Sequence, residues 1–372
     1  MTTKPNNERT AARVFHPGEI LLDELNERQL TQAEFSAIIG RPARTVNEII
    51  KGKRSITPET AEMIGAALGT SPEMWLSMQS EYDIFLLNKK FEQQTKDVRR
   101  RSQLYNLFPI ADLVRRKYLA ARTKKPMDIE KEVLKLLGLD SISEFENANF
   151  ALLRVSDGDI IQSYLKTWIL LGKKAAKELT GVGTYKKEAL TEFSKEIKNY
   201  SRQSDGGVAA LIQKLLELGV RVIVLPHFSK TRVDGAACWI EDDGPVILLS
   251  LRLDRIDNFY FTILHEIGHI VLHNGEAGQP FIDTDIYSSN DDQKEKEANE
   301  FSTKNLGFSD IASELQYSEL SPSLLSRKSE QLGVHPGLLI GHLQHKHLLD
   351  YSAYRKVLVR VKDSVPDMVM QK

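Results

Sequence analysis

Between Val220 and His273 the chain carries three short β-branched or apolar runs, Val220–Leu225, Ala236–Ile240 and Val246–Leu249, followed by an apolar stretch from about Phe259 to His273. Pro226, Asp234-Gly235 and Asp242-Asp243-Gly244 separate the runs, which predicts short strands joined by tight turns and closed by one long helix. A small antiparallel sheet packed on that helix is expected, with Asp257 and Asn258 as the helix caps. Nearly everywhere else apolar residues recur at helical spacing, so the expected class is mainly α with a small α+β part.

The long helix contains His265-Glu266-Ile267-Gly268-His269. Two histidines four apart lie on one helical face and can reach a single ion, while Glu266 points at the water that ion would hold. A catalytic zinc site takes three protein ligands and leaves one position open, so a third ligand must come from elsewhere. Downstream, Glu295 to Phe301 is an acidic helical segment long enough after His269 for a loop and a returning helix. Glu295 is the preferred third ligand, because Asn299 then shares its face and can hydrogen-bond the far nitrogen of a liganding histidine; Glu297 is the alternative. His273 sits off the ligand face and is expected in a structural or supporting place. The chemistry implied is metal-assisted amide hydrolysis with Glu266 as the proton carrier, and Ala236–Ile240 is a candidate edge strand for an extended substrate.

At the other end, Gly40, Pro42, Gly52, Pro58, Gly69 and Pro72 cut the first 80 residues into short helical segments. Thr31-Gln32-Ala33-Glu34 reads as a capping box, and Thr57-Pro58 and Ser71-Pro72 as N-caps followed by proline at the first helical position. Helices are placed at about 17–28, 31–39, 43–51, 57–68 and 71–88. The second and third form a helix-turn-helix across Gly40-Arg41-Pro42. In the third, Val46, Ile49 and Ile50 are spaced to face a core, which leaves Arg44, Thr45, Asn47, Glu48 and Lys51 on the side that would meet DNA. From Arg41 to Arg54 there are five basic residues and one acidic. Gln32 is placed for a phosphate or an adenine edge, and Arg41, Lys51, Lys53 and Arg54 for phosphates.

Whole-chain charge would not reveal this patch, since 50 Lys and Arg face 51 Asp and Glu. A single cysteine, Cys238, excludes an intrachain disulfide framework and suits a reducing compartment; beside Trp239 on a strand, it is expected to be buried. The N-terminal residues are polar, and no apolar run approaches the roughly 20 residues that span a bilayer. A cytoplasmic protein with no membrane partner is expected.

The run from His16-Pro17-Gly18-Glu19-Ile20 through Gly52-Lys53-Arg54-Ser55-Ile56-Thr57-Pro58 to Ser71-Pro72-Glu73-Met74-Trp75-Leu76 resembles the HigA branch of the Xre/Cro repressor-like family nearly throughout. That resemblance implies a five-helix lambda-repressor-like domain over 12–88, operator DNA as partner, a small ribonuclease toxin of the HigB type, and a homodimer. Trp75 and Leu76 fall where such proteins place a core or dimer-facing aromatic, the core being the expected role. The segment from His265 to His273, with Glu295 to Phe301 and the closing Leu332–Gln344, is similar to the ImmA/IrrE metallopeptidases. This implies a zincin-like domain over 205–361 holding Zn2+ on His265, His269 and Glu295, with a repressor or the chain itself as substrate. After Phe301 the chain departs from that family's small, apolar continuation, reading Ser302-Thr303-Lys304-Asn305. Residues 89–204 are read as a helical connector whose first part, Lys89 to Lys125, holds twelve basic and three acidic residues, and 362–372 as a frayed tail.

Overall fold

The computed structural model describes residues 14–120, 125–147, 162–203, 206–240, 243–273, 281–283, 293–315 and 319–370. The expectations on the N-terminal residues, Arg122, Lys124 and Asp242 lie outside them. The chain forms two compact units, residues 1–100 and 101–372.

The first unit is built on α1 (Pro17–Glu27), α2 (Gln32–Ile38), α3 (Ala43–Ile50), α4 (Pro58–Leu68) and α5 (Pro72–Leu107). The first four helices follow the sequence punctuation to within a residue or so. Thr31 accepts from the Glu34 amide at 3.2 Å while Glu34 accepts from the Thr31 amide at 2.8 Å, the reciprocal box that fixes where α2 starts. Gly69, at φ 68°, ends α4 in a left-handed turn that L side chains avoid. Leu21, Phe35, Val46, Ile49, Ile64 and Trp75 form the core. Trp75 is fully buried and its indole donates to Thr70 Oγ1 at 2.8 Å, so its role is the core one. The fifth helix runs past its expected end at 88, because neither glycine nor proline occurs between Pro72 and Pro109 and the basic stretch is made mostly of good helix formers.

In the second unit, α6 (Ile110–Arg115), α7 (Pro126–Leu137), α8 (Ile142–Asn147), α9 (Gln162–Lys177), α10 (Lys187–Ser194), α11 (Ile197–Tyr200) and α12 (Gly207–Glu217) precede the sheet. Then come β1 (Arg221–Val224), β2 (Gly235–Ile240), β3 (Gly244–Leu249), α13 (Ile256–Leu272), β4 (Phe281–Asp283), α14 (Gln293–Leu306), α15 (Ile311–Leu315), α16 (Pro322–Leu332) and α17 (Pro336–His345). The strands are ordered β1-β3-β2-β4. The sheet is mixed: β2 runs antiparallel to β3 and β4, but β1 lies parallel to β3, because the chain leaves β1 at one edge and returns through β2 before pairing with it.

Both faces of this sheet are covered, which is why β1 and β3 read as almost uninterrupted apolar runs. Val222, Val224, Ala237, Ile247 and Leu249 point to one side, where α12, α13, α14 and α17 contribute Leu211, Leu215, Ile263, Ile267, Leu306 and Leu339. Ile223, Leu225, Ala236, Cys238, Ile240, Val246 and Leu248 point to the other. That second face meets Leu104, Phe108, Leu113, Val133, Phe145, Trp168, Ile169 and Ala176, all from the stretch read as a connector. The Trp168 indole donates to the Leu225 carbonyl at 2.8 Å, and a β-carbon on Gly172 would fall 2.6 Å from Leu248. Residues 362–370 do not behave as a frayed tail. Val365 and Val369 are buried in the core, and Met370 bridges to Val224.

Two local expectations need correcting. The cap of α13 is Arg255; Asp257 and Asn258 lie inside the first turn, where Asp257 pairs with Arg255 at 2.7 Å. The strand β2 is not a fully open edge, since β4 pairs with Gly235–Ala237.

Candidate metal centre and nucleic-acid interface

The histidines at 265 and 269 are fully buried on α13, one helical turn apart. Their Nε2 atoms lie 2.9 Å from each other. Glu295, from the first turn of α14, completes a cluster in which one atom from each of the three residues lies within 4.8 Å of the others. Its carboxylate oxygens are 3.2 Å from His265 Nε2 and 3.4 Å from His269 Nε2. The two helices approach closely because the second residue after Glu266 is glycine: a β-carbon on Gly268 would fall 3.1 Å from Ala298 Cα. Ala298 stands one turn beyond Glu295, so a small residue on each helix draws the carboxylate against the imidazoles.

Protonation states follow from this packing. Burial pushes the Glu295 carboxyl up, but the facing imidazoles of His265 and His269 outweigh it and hold the group at about 2. Burial lowers His269 to about 4 against the opposing pull of Glu295. At neutral pH the site therefore presents an ionised carboxylate and a neutral imidazole, the forms a metal ion binds. His265 Nδ1 lies 3.1 Å from Asn299 Oδ1. An amide oxygen only accepts, so Nδ1 carries the hydrogen and Nε2 keeps its lone pair turned toward His269 and Glu295. The donor set of two imidazoles and a carboxylate fits a divalent metal ion.

Glu266 is buried beside this cluster, its carboxylate lodged against β2. A β-carbon on Gly235 would fall 2.5 Å from Glu266 Oε1, so only glycine leaves space for it there. Glu297 lies away from the cluster, accepting from Gln293 Nε2 at 2.9 Å and standing 3.7 Å from His273 Nδ1. His273 also meets the Lys294 carbonyl through Nε2 at 3.1 Å. Sequence reasoning read Gly235 only as part of a turn and assigned no role to Gly268 or Ala298; the usable signal was a small residue inside each of the two helical motifs.

In the first unit α3 buries Val46 and Ile49 and leaves Arg44 exposed, as are Lys51 and Lys53 in the turn that follows. Gln32 begins α2 and is half-buried, as are Arg41 and Thr45. Asn47 is half-buried like Thr45, with its Oδ1 covered. The arginines are held by carboxylates: Glu48 binds Arg44 at 2.7 Å and Arg54 at 3.5 Å, and Glu59 binds Arg41 at 3.2 Å.

Comparison with known proteins divides along the same lines. Residues 21–75 match the helix-turn-helix family, and residues 216–321 match the family described as the IrrE N-terminal-like domain, peptidase M78. The Escherichia coli K12 protein YddM, an uncharacterised HTH-type transcriptional regulator, is 31% identical over 68 residues, 18% of this chain and 72% of its own length. A solved addiction module antidote protein of the HigA family from Coxiella burnetii is 36% identical, covering 23% of this chain and 92% of that one, with a TM-score of 0.22. The Pseudomonas aeruginosa antitoxin HigA, solved with the higBA promoter, is 34% identical over 22% of this chain and 91% of its own, also with a TM-score of 0.22. Among the described residues no helix is long and apolar enough to cross a membrane. By its first unit the chain belongs to the helix-turn-helix transcriptional regulators with HigA-like antitoxin relatives, and in its second it carries an IrrE N-terminal-like peptidase domain.

Proposed function

We propose that this protein is an operator-binding repressor of the HigA type whose second unit is a zinc-dependent endopeptidase acting on a repressor or on the chain itself. The observation that carries the reading is the convergence of His265, His269 and Glu295 in a buried cluster beside Glu266. A bound zinc ion supplies Lewis-acid polarisation of a scissile carbonyl and of the attacking water. Glu266 takes that water's proton and hands it to the leaving amine. His265 and His269 contribute Nε2, Glu295 its carboxylate, and Asn299 fixes the His265 tautomer. Gln32, Arg41, Arg44, Thr45, Asn47, Lys51 and Lys53 contact the operator, and the assembly is a homodimer that binds a small HigB-type ribonuclease toxin.

A second reading is favoured by one feature. The outer edge of β2 at Gly235–Ala237 is paired with β4, which takes hydrogen-bonding positions an extended substrate would need. On this reading the second unit senses a metal or a partner and cuts nothing. The test is zinc content and repression for the full-length protein and its Glu266→Gln variant. About one zinc per chain in both, with derepression under inducing conditions lost only in the variant, supports the peptidase. Unaltered control by the variant sinks it and leaves the sensor.

A further inference from the structure

The two edges of β2 are held very differently. On one side β3 pairs with all six of its residues, from Gly235 to Ile240. On the other, β4 pairs antiparallel with only half of it: Asp283 lies opposite Gly235, Ile282 opposite Ala236 and Phe281 opposite Ala237. Among the described residues no strand pairs with Cys238–Ile240 on the side away from β3. The residue before Phe281 is Pro280, which has no amide hydrogen to give to a ladder continued in that direction. The sequence therefore stops the pairing halfway along β2, and a ladder of three residues opens more easily than one of six.

The covered half is the one nearest the chemistry. A β-carbon on Gly235 would fall 2.5 Å from Glu266 Oε1 and 2.6 Å from Thr262 Cγ2. Neighbouring strands lie about 4.8 Å apart, so the backbone at Asp283 is one strand spacing from the glycine that touches the Glu266 carboxylate. A main chain lying along this edge takes the path that brings a scissile bond beside Glu266 and the cluster of His265, His269 and Glu295. The chain itself delivers β4 to this place, since the elements before and after it, α13 and α14, carry the three clustered residues. Tethering of that kind gives the strand a high effective concentration at the edge. Shielding a bare edge from aggregation would call for a cover over the bulkier half, Trp239 and Ile240; β4 covers Gly235–Ala237 instead.

We propose that β4 is a pseudosubstrate strap: it occupies the strand edge beside Glu266 in the resting protein, and an extended segment of the substrate pairs first with Cys238–Ile240 and then displaces it. The inference rests on the peptidase reading and names the form its substrate takes, a loop or unfolded segment of a protein with free amides along six residues, the length of β2. It also accounts for the paired edge that favours the non-cutting reading, because a short strand holds those hydrogen-bonding positions only until a longer one competes for them.

Two measurements on the full-length Glu266→Gln chain, in which nothing is cut, test the strap. Hydrogen exchange followed by mass spectrometry compares the amides of Phe281–Asp283 with those of Val246–Leu249, and β4 should exchange about 100-fold faster or more, because it opens without the rest of the sheet. Fluorescence anisotropy then follows a labelled peptide of the chain's own residues 277–285, carrying Pro280→Ala so that amides are present throughout. It is titrated into that protein and into the same protein bearing Ile282→Pro, which removes the central amide of β4 and leaves β2 unaltered. Binding about 10- to 100-fold tighter to the Ile282→Pro protein is expected, since the competitor for the edge is gone, and a peptide that itself carries Ile282→Pro should not bind. Exchange of β4 as slow as that of β3, equal affinity with and without Ile282→Pro, or no saturable binding to a folded Ile282→Pro protein would overturn the proposal. Should Ile282→Pro unfold the chain, the exchange comparison on unaltered β4 still decides. Neither measurement needs bound zinc, hydrolysis or DNA, so failure here leaves the zinc and derepression test of the peptidase standing.

Discussion

The His265 ring and the Asn299 side chain, 34 residues apart in sequence, meet at 3.1 Å, with the imidazole donating from Nδ1 to the amide oxygen. The contact reaches across from α13 to α14 and decides which nitrogen of His265 faces His269 and Glu295. Replacing Asn299 by alanine frees the ring to turn and to shift its hydrogen. Zinc affinity of the Asn299→Ala variant is expected to fall about 10- to 100-fold with the fold retained, measured by competition with a chromogenic chelator. An affinity within twofold of the parent would mean the contact orients nothing.

Glu295 and Glu297 sit two residues apart on α14, yet only the first reaches His265 and His269, the second lying instead against His273. Glu295→Ala should abolish stoichiometric zinc in the purified chain, and Glu297→Ala should leave it intact, with metal content read by atomic emission. Gly268→Val provides an independent check, since its side chain must push Ala298 and the whole first turn of α14 away. It should lose zinc without touching any proposed ligand, and full occupancy in that variant would show the close approach to be unnecessary.

Acid should loosen both units through a shared device. The sequence His-Pro-Gly occurs at the start of α1 and of α17, and in each the histidine Nδ1 accepts the glycine amide, at 2.9 Å for His16 and 3.0 Å for His335. Burial holds both imidazoles below their ordinary value, with Asp83 and Glu19 opposing it at His16. The neutral ring is therefore the folded form, and its contribution is complete above the unfolded-state value of about 6.5 and lost as pH falls through the folded one. Each cap is worth about 1 kcal/mol. Unfolding temperatures at neutral and mildly acidic pH should differ less for His16→Asn, which keeps an acceptor that does not titrate, than for the parent. Equal pH dependence in the two would remove His16 from the account.

Just past the recognition helix, Lys51 and Lys53 are exposed and are expected to neutralise one phosphate each. Single alanine substitutions should lower the slope of log affinity against log salt by about 1 without altering sequence preference. Arg44→Ala, by contrast, should relax discrimination among operator variants. Fluorescence anisotropy over a salt series separates the two effects, and a slope unaffected by either lysine would place both outside the interface.

Much of this was legible in residues that specify their own local geometry. Thr31, Thr57, Gly40 and Gly69 announce helix ends through caps and turns that act within a few residues, and the four short helices of the first unit fall where those signals put them. The same locality made the histidine pair readable, since four residues along a helix fix a shared face. What escaped depends on distant partners. Arg255 displaces Asp257 and Asn258 from the cap of α13 because it is held in place by Asp257 and by Gln344, 89 residues away. The parallel pairing of β1 with β3 is a property of chain routing that alternation of apolar residues does not encode.

The covering of the sheet on both sides bears on how such a chain can be inherited and rearranged. The stretch 216–321 that matches a known family holds the strands and the histidine helix, yet Trp168, Phe108 and Val133, which shield one side of those strands, all precede it. A gene fragment cut at the family boundary would encode a polypeptide with Ile223, Leu225, Ile240, Val246 and Leu248 turned to water. Recombination that moved only this fragment would deliver an aggregating product. The piece that shuffles between genomes as a working whole must therefore be longer than the piece whose ancestry is recognisable.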